Sequence, residues 1–104
     1  MPTDPPIACS LTAADLPARV DEIAALGRDA LVAAHAADRR ALLRFAAHPG
    51  VRERVDALVA AESRCCAFLT MRVEQAGGEV ALTVDAPPGA EHVLRDMVRG
   101  FCAG

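Results

Sequence analysis

The chain has 104 residues, a length that suits one domain with a single modest core. Hydrophobic residues make up 53% of it but aromatics only 3%, with no Trp or Tyr, so that core must be built from aliphatic side chains. A net charge of −3, with the arginines spread among acids, excludes the basic footprint of a nucleic-acid-binding surface, and no run approaches the ~20 apolar residues that cross a bilayer.

Residues 1–6 (MPTDPP) read as a flexible, proline-rich lead-in to a single domain over 7–104. They lack the positive and apolar regions of a secretory signal, which predicts a cytosolic protein. Thiols stay reduced in that compartment, so four cysteines read as metal-binding, redox-active or buried rather than as a disulfide framework.

Ile7–Leu11 (IACSL) is a short apolar run suited to a strand. Thr12 with Asp15 resembles a helix start, and Pro17 fits only a first turn. Leu16, Val20, Ile23, Ala30 and Leu31 share one helical stripe, which predicts a helix to about Ala37. Gly27 lies on that stripe and would let the sheet approach closely. Asp38–Arg40 breaks the pattern, and Ala41–Ala47 (ALLRFAA) alternates as a strand, with Leu43 and Phe45 on one face.

After His48-Pro49-Gly50 a second helix is predicted from about Pro49 to Cys65, with Val51, Val55, Leu58 and Val59 inward. A hairpin follows, its strands carrying Leu69, Met71 and Val73 and then Val80, Leu82 and Val84 on one face. Gly77-Gly78 supplies the turn, because glycine takes positive φ without steric cost. A last helix from about Ala90 to Phe101 turns Val93, Leu94, Met97, Val98 and Phe101 inward. The predicted order is β-α-β-α-β-β-α, an α+β two-layer sandwich with the helices on one face of a small mixed sheet.

The chemistry concentrates at the end of the second helix. At about 100° per residue, with Val51 as zero, Glu62 falls at about 20°, Cys65 at about −40° and Cys66 at about 60°. All three share the apolar sector. A carboxylate there is costly unless it is hydrogen-bonded, paired with an arginine such as Arg44 or Arg64, bound to a cation, or raised in pKa.

Adjacent cysteines bridge each other only with strain, whereas their sulfurs can converge on one soft ion. Zinc fits less well: there is no CxxC spacing, and His35, His48 and His92 are far apart, two as exposed helix residues and one in a loop. Hg(II), Cu(I) and As(III) prefer sulfur and accept few ligands. Cys9 is the best third ligand, provided its strand pairs beside the one beginning near Ala67. Cys102 reads as a mobile thiol. The plainer reading of every cysteine is a small buried hydrophobe.

Ile7-Ala8-Cys9-Ser10-Leu11, Glu62-Ser63-Arg64-Cys65-Cys66-Ala67-Phe68 and Pro87-Pro88-Gly89-Ala90 together resemble a group of small, functionally uncharacterised bacterial proteins. Those proteins carry an IAC-(S/T)-L … E-x-x-CC-x-F … PPGA pattern, and the likeness runs from Ile7 onward. Ala67 stands where the group often has proline. Its members are often encoded near heavy-metal resistance genes, mercury resistance included. The resemblance therefore implies soft-metal handling through Cys9, Glu62, Cys65, Cys66 and Phe68, with Glu62 and Phe68 supporting the thiolates.

The favoured expectation is a cytosolic protein that buffers, transfers or senses Hg(II) or a similar ion through Cys9, Cys65 and Cys66, without an organic cofactor. One alternative is an enzyme in which Cys65 and Cys66 hold an organomercurial, or act in thiol redox, while Glu62 serves as the acid. Another is a non-catalytic interaction domain with structural cysteines, which exposed apolar residues on the hairpin's outer strand would support. The expected partner is the metal ion, with a homodimer left open.

Overall fold

The first helix ends at Ala30, well short of the predicted Ala37. The computed structural model describes residues 15–102, with all side chains among them except those of residues 15–19 and Cys65. Its elements are α1 (Asp15–Ala30), β1 (Leu31–Ala37), β2 (Arg40–Ala46), α2 (Val51–Cys65), β3 (Thr70–Ala76), β4 (Glu79–Asp85) and α3 (Glu91–Cys102). The α+β class holds, but the described order is α-β-β-α-β-β-α. The predicted opening strand Ile7–Leu11, and Cys9 within it, lie outside the described residues.

The correction at Leu31–Ala37 has a definite cause. LVAAHAA is rich in alanine, a good helix former, yet it pairs antiparallel with β2 from Leu31↔Phe45 to Ala37↔Arg40, through a register shift between Leu31 and Ala33. Asp38, at φ 54°, makes the reversal between the two strands. Pairing with β2 supplies the backbone hydrogen bonds and lays Leu31 and Ala34 against the core. This tertiary gain outweighs local propensity. His35 is exposed as expected, but on a strand rather than a helix.

Among the described residues the sheet order is β1-β2-β4-β3 and each neighbouring pair is antiparallel, where a mixed sheet was predicted. Two hairpins, β1-β2 and β3-β4, thus join through β2 and β4. Backbone bonds from Ala47 N–H to Gly78 O (3.0 Å) and from Ala86 N–H to Arg39 O (2.8 Å) extend that junction at both ends. Gly77 and Gly78 take φ of 62° and 78° in the β3-β4 turn, a conformation that disfavours any side chain.

One face of the sheet is buried. Ala41, Leu43 and Phe45 of β2 and Val80, Leu82 and Val84 of β4 point into it, while Leu42 on the other face is 40% exposed. The period-two alternation read in the sequence is therefore the physical layer boundary. α3 lies over β1 and β2, α2 over β3 and β4, and α1 packs chiefly against α3. Phe45 and Phe101 meet edge to face, ring centroids 5.5 Å apart, and tie the sheet to α3.

α1 differs from its predicted stripe. Ile23, Leu26 and Ala30 are buried, whereas Val20 is 52% exposed. Gly27 does permit a close approach, but by α3 rather than the sheet: a Cβ built there would sit 2.0 Å from the Phe101 carbonyl oxygen.

Candidate functional site

The helix wheel of α2 is realised in space. Val51, Val55, Leu58 and Glu62 are all buried along one face, with Glu62 only 5% exposed. Glu62 is the one buried charged residue among those described. Four residues on, the chain leaves the helix: Cys66 takes φ −122° and ψ 68°, and its N–H still donates to the Glu62 carbonyl at 2.7 Å. Leu69 N–H then donates to the Cys66 carbonyl at 3.0 Å, closing a tight turn that redirects the chain into β3.

Cys66 is buried, 4% exposed, in the same hydrophobic cluster as Leu58 and Leu69. Glu62 and Cys66 are thus both buried, one helical turn apart, where α2 gives way to that turn. Each takes part in a polar or electrostatic interaction. Among the described residues no buried side-chain nitrogen or oxygen lacks a hydrogen-bond partner. The carboxylate therefore does not stand as an uncompensated charge in hydrocarbon.

Of the arginines proposed as its counter-charge, Arg44 is turned to the opposite face of the sheet. There its Nη1 donates to Glu79 Oε1 at 3.4 Å. Arg64 is exposed.

Phe68 is half-buried against the core within the turn, where it braces the exit from the helix. Cys65 is the last residue of α2, and its side chain, like the whole of Cys9, lies outside the described residues. Cys102 closes α3 as an exposed free thiol. His35, His48 and His92 are all exposed, on β1, in the loop before α2 and on α3 respectively. Among the described residues, no cluster of three or more His, Cys, Asp or Glu side chains is arranged to hold a metal ion. No helix among them is long and apolar enough to cross a membrane.

Two residues whose sequence pattern marks them only as core also reach this place. Met71 of β3 and Met97 of α3 line the same narrow crevice as Glu62, walled by Ile23, Leu58, Leu82 and Phe101. No water-sized sphere fits inside it. The sequence places Met71 on one face of a hairpin strand and Met97 on the inward stripe of the last helix. Only the packing of α3 and β3 around the end of α2 brings them to the carboxylate.

No protein-family model, no curated protein and no solved structure matches this chain. The functional reading therefore rests on the side chains themselves.

Proposed function

We propose that the chain binds a soft, thiophilic metal ion at the C-terminal end of α2. Cys65 and Cys66 supply thiolates, Cys9 supplies a third, and Glu62 acts beside them as a base or hydrogen-bond acceptor. The observation that carries this reading is the joint burial of Glu62 and Cys66 one turn apart, where the helix unwinds. A carboxylate among Val55, Leu58 and Val59 weakens packing unless a compensating group meets it. Sulfur beside it gives that compensation a chemistry, since thiolates select Hg(II), Cu(I) and their kin. The resemblance to proteins encoded near mercury-resistance genes points the same way.

Titration of the reduced protein with Hg(II), followed by the thiolate-to-metal ultraviolet band, is the direct test. The wild type should saturate at one equivalent, and Cys65→Ser and Cys66→Ser should each weaken binding at least tenfold. Because thiols must lose protons to bind, affinity should rise with pH. A wild type that gives no such band would end the proposal.

A second reading is favoured by the place of Cys66 in the hydrophobic cluster: the cysteines only fill space, as buried thiols often do. The double substitution Cys65→Ala/Cys66→Ala separates the two. Lost metal binding with the urea midpoint retained supports the site, and a large fall in stability with Hg(II) binding unchanged supports packing. The exposed apolar surface expected of a pure interaction domain is not on the hairpin. Among the described residues, the exposed large hydrophobics are Val20, Val32 and Leu42.

A further inference from the structure

Among the described strands β3 is one edge of the sheet, and it lacks the proline or bulge that keeps such edges from pairing. It pairs with β4 residue for residue from Thr70↔Asp85 to Ala76↔Glu79. β1, at the other edge, carries the register shift between Leu31 and Ala33 and so departs from a regular edge. On the core side of β3, Met71 and Val73 are only half-buried, although the β4 residues opposite them, Val84 and Leu82, are buried. On its outer face Arg72 and Glu74 are exposed, opposite the uncharged Thr83 and Ala81. Neither has an ion pair among the described residues, whereas Arg40, Arg44 and Arg52 are paired with Asp85, Glu79 and Asp56.

An arginine and a glutamate two residues apart make a strand complementary to itself run in reverse. In a two-fold antiparallel pair each residue faces one on the same side of the sheet, so the axis must pass through a residue. An axis at Val73 sets Arg72 against the partner's Glu74 and Glu74 against the partner's Arg72. It also sets Val73 on the partner's Val73 and lets the whole of Thr70–Ala76 overlap. An axis at Arg72 or at Glu74 opposes like charges, which destabilises a cross-strand pair. Charge and overlap thus select the same register.

We infer that β3 pairs edge to edge with β3 of a second copy about a two-fold axis at Val73, joining the two sheets into one continuous sheet. The pairing uses Thr70–Ala76 and not the turn at Cys66–Leu69, so it is independent of the metal reading. A contact confined to two strands is smaller than the ~1,200–2,000 Å² of a stable interface. The association is therefore weak and concentration-dependent.

Sedimentation equilibrium of the full chain, from micromolar to millimolar concentration, tests this. Reductant is kept present, because the exposed Cys102 would otherwise join two copies through a disulfide. The wild type should pass from monomer to dimer across that range. Arg72→Glu and Glu74→Arg each place like charges opposite one another, and each should weaken self-association about tenfold. Both positions are exposed, so the fold should persist, and the urea midpoint checks it. Mixed in equal amounts, the two variants should associate about as tightly as the wild type, because the acids of one then face the arginines of the other. Amide exchange along β3 should slow as the dimer forms.

A wild type that stays monomeric throughout overturns the proposal, and slow exchange along β3 in that monomer would mean that another segment of the chain holds the edge. A dimer that neither single variant weakens uses another surface and equally overturns it. So does one that mixing fails to restore, because its register is then different.

Discussion

Glu91 shows how a single side chain can set a helix start in this protein. It opens α3, and the Gly89 N–H donates to its Oε1 at 2.7 Å. Its own backbone N–H and that of Gly89 hold the carboxyl below the ordinary value of 4.5, and nearby Arg39 and Arg95 act in the same direction. A lowered carboxyl pKa contributes stability above the unfolded value, and that contribution is lost as pH falls through the folded one. Glu91→Ala should therefore lower Tm more near neutrality than in acid, the gap narrowing as pH falls from about 5 toward 2. Thermal melts across that range check it, and a gap that widened in acid would contradict the assignment.

At the same scale, Glu62 was legible because an acid on an apolar stripe is an anomaly that the wheel alone exposes. Met71 and Met97 were not, because a methionine on an apolar stripe is ordinary until its neighbours are known.

Between elements, the contact of α1 with α3 turns on two glycines that differ in what they face. A methyl at Gly27 would strike the Phe101 backbone, which cannot move without shifting α3. A methyl at Gly100 would meet only the Ile23 Cγ2 at 3.2 Å, the end of a side chain. Gly27→Ala should therefore destabilise by about 3 kcal/mol through overpacking. Gly100→Ala should fall within about 1 kcal/mol of neutral, because the better helix propensity of alanine offsets a small repacking cost. Urea midpoints of the two variants make the comparison, and equal losses would show that the close approach is unimportant.

β2, β4 and α2 were readable at this level because each carries an unbroken period, two for the strands and 3.6 for the helix. β1 was misread for the converse reason. Its alanines suit either conformation, and the decision lies with β2.

For the molecule as a whole, one apolar layer is shared by the buried sheet face and the three helices, with Phe45 and Phe101 as its largest members. Phe101→Ala would remove both the edge-to-face contact with Phe45 and a wall of the crevice beside Glu62. It should cost about 3–5 kcal/mol, a large share of the ~5–15 kcal/mol that holds such a domain together. Calorimetry or denaturant unfolding measures it, and a loss below about 1 kcal/mol would mean that the core collapses around the gap.

The order of residues alone was enough to read the α+β class, the buried face of β2 and β4, the glycine turn, and the inward placing of Glu62 on α2. Those are local properties: a side chain's direction follows from the period of its own element. Packing between distant segments settles that Leu31–Ala37 is a strand, that the described sheet is antiparallel throughout, that Gly27 faces α3, and that two methionines line one crevice with a carboxylate. Each of these depends on which distant segment arrives as the partner, and no residue's own periodicity carries that choice.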